Sequence, residues 1–518
     1  MPECLERGTV PWLLARYRSR LFPDWLFQGW RGEGRSGRNA WPAVTLMTLL
    51  ILRWSEEGIS RLGSTRRAQT DIAWRAAMGL SLRAPTPSEK TVREFERFMQ
   101  GYHPEYGTRR YLLFHEHVVR LCCEEGLAAD APVWAMDSTP MYCYGAVLDT
   151  VRLLGDGVGK LARAWSRESK RSLADIASEW QVPFILGKST KGGLAIDWRD
   201  AEARASALDT VARGALQAVR AVRSELNGIR PGKRKQLLRR CRHLLRVVRD
   251  DLETDTAGRL VVAERVAKNR IISLTDPQAR HGRKSRKHPF NGYKVHLLGD
   301  VVSGLITAVT VTTASTHDGA VAHRLIRRSK VLCRDIERIL GDTHYGAAEL
   351  VRGVRRDMGV TLLAPPIVHR TTPFGRDSFH IDFDAKTSTC PEGVTTTSHR
   401  TYRPKGHGSL RSIFRWSSED CNRCPSRPSC CGRRKGGKSL QLHPFEPELR
   451  RIRALWNEPQ TRQEYRTRSQ CERLVNQVVR HGGRQARQWG LQAANLQAHT
   501  IAITCNLRLL ARTLAENI

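Results

Sequence analysis

No stretch of this chain stays apolar over anything like the roughly 20 residues a bilayer-spanning helix requires, and its N-terminus lacks the apolar core of a signal peptide. Both absences predict an intracellular protein whose 13 cysteines are reduced. Acid is also scarce: 51 Asp and Glu face 86 Lys and Arg, a formal net charge of +35, and the basic residues run along the whole chain instead of filling a tail. Such a field is the footprint of a polyanionic partner. With lipid set aside, that partner is nucleic acid. At 518 residues the chain exceeds what one core serves and implies two or more domains.

Residues 1–125 read as an N-terminal helical domain. A Gly/Arg-rich patch from Arg31 to Arg38 reads as a loop, and an apolar helix follows from Trp41 to Trp54. A second helix is expected through Arg66 and Arg67 to Ala77, and a third from Glu89 to Met99 under a Ser88 cap. A small bundle with arginine on its outer faces can set a helix in a DNA groove. Plain packing under a solvated basic surface is the alternative, and no motif here is specific to groove reading.

Two short apolar runs each end in an aspartate. Val133–Thr139 delivers Asp137 ahead of Pro140, and Ile336–Gly341 delivers Asp342. Each reads as a buried strand with a carboxylate at its C-terminal end, although Asp in such places is often only a turn former. Asp149 rivals Asp137 but lies in the loop and helix that follow, so Asp137 is preferred. Tyr465, Arg468 and Glu472 fall at i, i+3 and i+7, which puts them on one face of a helix. Glu is a hard oxygen ligand and Arg grips phosphate bidentately, so the trio suits a site holding metal and phosphate together.

Between these runs, 152–270 reads as a basic helical insertion in which a long helix starts at Asp197–Asp200 and Lys233–Arg249 is dense in Arg and Lys. Its charge can track phosphates, though such a face is often merely solvated. His281–Lys287 reads as a basic loop, Phe290–Asp300 and Leu305–Thr313 as a hairpin, Thr316–Asp318 as the cap of a helix, and Val360–Leu363 as a further strand. The core is then split into 126–151, 271–365 and the helices of 456–518, the last of them, Ala493 to Leu514, carrying an apolar packing stripe. The order is that of an α/β, ribonuclease H-like core: a mixed sheet flanked by helices, with an N-terminal helical domain, a helical insertion and a Cys-rich insertion.

That Cys-rich insertion, 366–455, contains Cys390, Cys421, Cys424, Cys430 and Cys431. A C-x-x-C knuckle with further thiols suits a tetrahedral structural zinc site built from Cys390, Cys421, Cys424 and Cys430. Cys431 can replace Cys430, and buried free thiols are the alternative.

Trp134–Met141, Gly341–Gly346 and the Tyr465, Arg468, Glu472 helix resemble the DDE transposases of bacterial insertion sequences with a Tyr-Arg-Glu-Lys signature, most closely the insertion-sequence eleven-eighty-two family. Asp137-Ser138-Thr139, Ser273–Pro277 and Gly292–His296 share in the resemblance, which spans about Trp41 to Leu510, and similar cysteines occur in that family. One position departs: the signature Lys falls at Val479, and the neighbouring Arg480 is turned about 100° around an ideal helix. The resemblance implies Asp137, Asp342 and Glu472 as catalytic ligands of two Mg²⁺ (or Mn²⁺) ions roughly 3.5 to 4 Å apart. Asp137 would bridge both ions, with Tyr465, Arg468 and Arg480 on DNA. It further implies cleavage at element ends, transfer of the freed 3′-OH into target DNA, duplex DNA as partner (terminal inverted repeats and target), a homodimer on that DNA, and a cytoplasmic, nucleoid-associated location. A nuclease of the same fold, or a DNA-binding relative with relic carboxylates, are the other classes.

Overall fold

The computed structural model describes residues 5–30, 40–56, 58–128, 133–285, 287–333, 336–366, 374–404, 410–432 and 435–517. The expected 31–38 loop lies outside them. Six strands form the central sheet: β1 (Trp134–Tyr142), β2 (Arg280–Ser285), β3 (His288–Asp300), β4 (Ile306–Thr313), β5 (Arg338–Leu340) and β6 (Thr361–Leu363). β3 is its spine. One edge of β3 pairs antiparallel with β1 from Gly292 opposite Tyr142 to Asp300 opposite Trp134, and the other carries β2 and then β4. β5 runs parallel to β1, and β6 parallel to β5. The molecule is thus mixed α/β, with an order β2-β3-β1-β5-β6 across the sheet and β4 paired to β3 alongside β2.

Two strands differ from expectation. β1 does not stop at Asp137 but continues through Pro140 to Tyr142. Its second edge pairs with β5 only at Trp134 and Ala135 and is bridged again at Tyr142 by Gln485, so Pro140 falls in the unpaired stretch between, where a proline's missing N–H costs nothing. The basic stretch His281–Lys287, expected as a loop, is largely β2, whose buried Arg280 and Gly282 face inward while His281 and Arg283 stay exposed. Its composition is poor for a strand, and the long β3 template supplies the pairing that propensity lacks.

The Leu491–Glu516 helix is buried almost all round, against β4, Ala43–Ser55 and Arg110–Glu124. It completes the open edge of β4 with side chains. The Asn506 amide accepts from Ile306 N–H at 2.9 Å and donates to its carbonyl at 2.8 Å. Asn495 does the same to Val311 at 2.9 and 3.2 Å. Eleven helical residues rise about 16 Å, and five strand residues span about the same, so two asparagines meet two strand positions in register. The cost of unpaired backbone at a buried edge is thereby avoided.

In the N-terminal bundle the expected second helix is two, Arg61–Thr70 and Ile72–Met78. Asp71 separates them because its side chain accepts the Trp74 N–H at 3.0 Å, capping the next helix. The buried side chains of this bundle belong to the same contiguous core as β3, β4 and Leu491–Glu516. The insertion after β1 instead packs a core of its own, drawn wholly from residues 153–271, around helices Thr150–Ser169, Ala201–Ser224 and Pro231–Asp251. In the Cys-rich segment two three-stranded sheets enclose a small core of Phe379, Phe414, Trp416 and Leu442.

Candidate active site

The sheet aligns the two aspartates, Asp137 within β1 and Asp342 just past the end of β5. Ala135 of β1 is register partner to Leu340 of β5 in the parallel pair, and Asp137 and Asp342 each lie two residues further along. The parallel register sets both residues at the same level of the sheet, beside the point where β5 ends and β1 runs on. Asp137 is held by two donors, Ser138 N–H at 2.7 Å and Arg468 Nη2 at 3.1 Å. Asp342 caps a short 3₁₀ turn, Thr343–Tyr345, accepting His344 N–H at 2.8 Å, with His344 Nδ1 at 3.4 Å from its other oxygen.

A third carboxylate joins them that sequence reasoning assigned elsewhere. Asp318 sits at the N-cap of Gly319–Leu332, but its side chain makes no capping bond. It accepts from Lys294 Nζ of β3 at 2.8 Å. Asp318, Asp342 and His344 offer ligand atoms all within 4.8 Å of one another, the one such His/Cys/Asp/Glu group among the described residues. The available signal was the Thr316-His317-Asp318 triplet, which reads equally as a cap.

Electrostatics follows from this crowding. Burial raises the Asp137 carboxyl above its ordinary value, Arg468 and the Ser138 N–H work against that, and Asp342 and Asp318 add to the rise. Burial also opposes ionisation of Asp318, but the Lys294 hydrogen bond and charge outweigh it and hold that group below its ordinary value. The fully buried Tyr345 lies beneath the same carboxylates, with its phenol pushed up by burial and then by their charges.

The Tyr465, Arg468 and Glu472 face is not one continuous helix. Pro459–Arg466 and Cys471–Val478 are α-helical, and Thr467–Gln470 between them is a 3₁₀ turn. Each 3₁₀ residue turns about 120° against 100° in an α-helix, so four of them add roughly 80°. Tyr465 and Arg468 still reach the site: the Tyr465 hydroxyl donates to the Gly341 carbonyl at 2.9 Å, steadying the backbone that presents Asp342, and Arg468 grips Asp137. Past the turn, buried Cys471 takes the inward position beside Asp137, and Glu472 is exposed. Glu472 is not among the principal charges that shift Asp137. Arg480 is exposed at the start of the wide turn Val479–Gly483, and Val479 is partly buried. Asp149 caps Thr150–Ser169, accepting Arg152 N–H at 2.9 Å.

Cys390, Cys421, Cys424, Cys430 and Cys431 line one cavity of about 310 Å³ with Phe379 and Trp416. Lys438 N–H donates to Cys421 Sγ at 3.3 Å. The Cys431 thiol is pushed up to about 11 by burial and by Cys430 and Cys421 beside it. Among the described residues no three of these sulfurs converge to within 4.8 Å.

A family model described as "Transposase DDE domain" matches residues 389–511. The match takes in the cysteines, Tyr465, Arg468 and Glu472, and ends before the last residues of Leu491–Glu516; β1 and β5 lie outside it. It supports a DDE transposase. No curated protein and no solved structure matches the chain. Among the described residues, no helix is long and apolar enough to cross a membrane.

Proposed function

We propose that the chain is a metal-dependent DDE transposase with a ribonuclease H-like core, cleaving DNA at insertion-sequence ends and joining the freed 3′-OH to target DNA. The observation that carries it is the register equivalence of Asp137 and Asp342 on parallel strands, with Arg468 from the matched segment bonded to Asp137. Asp137, Asp318 and Asp342 gathered beside the end of β5 suit divalent cations, since burial raises the Asp137 carboxyl and added positive charge favours its ionised form.

Asp137, Asp342 and Glu472 would hold two Mg²⁺ or Mn²⁺ ions, which when bound activate the attacking oxygen and stabilise the leaving one. Arg468 supplies a fork for a phosphate oxygen, Tyr465 fixes the Gly341–Asp342 backbone, and Lys294 holds Asp318. Rewinding Thr467–Gln470 into α-helix would swing Glu472 back by the roughly 80° the 3₁₀ turn adds. Arg480, exposed beside Val479, faces DNA. Cys390, Cys421, Cys424 and Cys430, or Cys431 in its place, would hold a structural Zn²⁺ by drawing together across the cavity they line, since no three of these sulfurs lie within 4.8 Å of one another. Duplex DNA is the partner, bound by a homodimer in the bacterial cytoplasm.

Incubation with Mg²⁺, a labelled duplex carrying the element's end and a supercoiled plasmid tests the reading. Cleavage followed by joining is expected. Cleavage without joining would make the protein a nuclease, and binding alone a DNA-binding relative.

A further inference from the structure

The insertion between β1 and β2 carries a basic surface that the carboxylate site does not use. Its Pro231–Asp251 helix has eight Lys and Arg, and no Asp or Glu from 231 to 249. The two acids at its end are already engaged. Asp250 takes Arg246 at 3.1 Å and Arg249 at 2.6 Å, and Asp251 takes Arg270 at 2.9 Å and the Thr150 hydroxyl at 3.0 Å. Lys233 pairs with Glu168 at 3.3 Å. Among the described residues, Arg234, Lys235, Arg239, Arg240 and Arg242 have no acidic partner.

A solvated helix face ordinarily mixes signs, because like charges at i+3 and i+4 repel. Here Lys235, Arg239 and Arg242 share one face over about 10 Å of helix with nothing to offset them. Arg234, Lys235 and Arg242 also line a groove together with Leu238, Cys241 and Leu245 of the same helix and Arg223 of Ala201–Ser224. Arg223, Arg234, Lys235 and Arg242 are all exposed. Cations lining a groove fit a run of phosphates, and duplex DNA presents one charge per roughly 1.7 Å of axis.

We propose that this groove clamps the sugar-phosphate backbone of duplex DNA without reading its sequence, making the insertion a second grip separate from the carboxylates. The choice of DNA as the polyanion rests on the transposase reading.

The test uses the full chain and an unrelated duplex, with affinity followed over a range of salt. Substituting Arg223, Arg234, Lys235 and Arg242 by Gln should flatten the slope of log affinity against log salt by roughly 3 to 4, at about 0.9 per lost phosphate contact. Lys at the three arginine positions should keep the slope, because backbone contact needs charge and not a fork. A wild-type slope in the Gln variant overturns the inference, and so does equal loss in the Lys variant, which would mark a structural effect. Tighter binding to duplex RNA than to DNA overturns the choice of partner. If the Gln variant loses slope while wild type fails to cleave an element end, the groove stands and the transposase reading falls. If wild type cleaves and the slope is unmoved, the groove falls alone.

Discussion

Arg468 and Asp137, 331 residues apart in sequence, are joined by a 3.1 Å bond from Nη2 to Oδ2. Both are about one-fifth exposed at the side chain, so the pair is screened only in part. Arg468→Ala should lower end cleavage by roughly 10² to 10³, the usual cost of a donor aimed at developing charge. Arg468→Lys should recover little, because an ammonium cannot bridge carboxylate and phosphate as a planar fork does. Single-turnover cleavage measures both.

The Lys294–Asp318 pair is more enclosed, at 14% and 10% side-chain exposure. Asp318→Asn leaves the ammonium with weaker acceptors, and breaking such a pair costs roughly 3 kcal/mol. Urea unfolding should show that loss in the single variant and a smaller one in Asp318→Asn with Lys294→Met, which removes the stranded charge. Equal losses would mean that the charge is not what destabilises.

Two histidines make folding sensitive to acid. His115 Nε2 bonds to the Ile306 carbonyl at 3.0 Å and so carries the proton, leaving His115 Nδ1 to accept from His499 Nδ1 at 3.1 Å. Both are fully buried, and burial lowers His115 to about 4 and holds His499 well below its ordinary value. Lowered folded values mean that the unfolded chain takes protons first, so stability present above pH ~6.5 should fall as pH drops toward 4. The His115 shift alone corresponds to about 3 kcal/mol. Melting at neutral and mildly acid pH should show the drop, reduced in His499→Asn.

Protein purified without chelator should contain about one zinc per chain, and Cys421→Ser should lose it. Elemental analysis finding none would remove zinc from the account and leave the thiols as packing around their cavity.

How far the sequence discloses this molecule depends on where the signal is local. β3 and β4 are legible because their Val, Ile and Leu residues lie between turn signals; β2 is not, because His281–Ser285 becomes a strand only on the β3 template. Asp137 and Asp342 are legible because each follows an apolar run. Asp318 is hidden, since an acid before a helix looks the same whether it caps the backbone or turns toward Lys294. The helical face of Tyr465 and Arg468 is legible from spacing, but the 3₁₀ turn that exposes Glu472 is not, because a change of 20° per residue leaves no mark on composition. Asn495 and Asn506 look out of place in an apolar helix until the open edge of β4 is known.

The proposed reaction centre unites Asp137 and Asp342, with Glu472 joining them. It is tested most directly by comparing wild type with Asp137→Ala, Asp342→Ala and Glu472→Ala in Mg²⁺-dependent cleavage of the element end and joining to plasmid, with DNA affinity measured in parallel. Each variant should bind DNA as wild type does and neither cleave nor join. Retained cleavage by Asp342→Ala would contradict it, because the register equivalence of the two aspartates would then carry no chemistry.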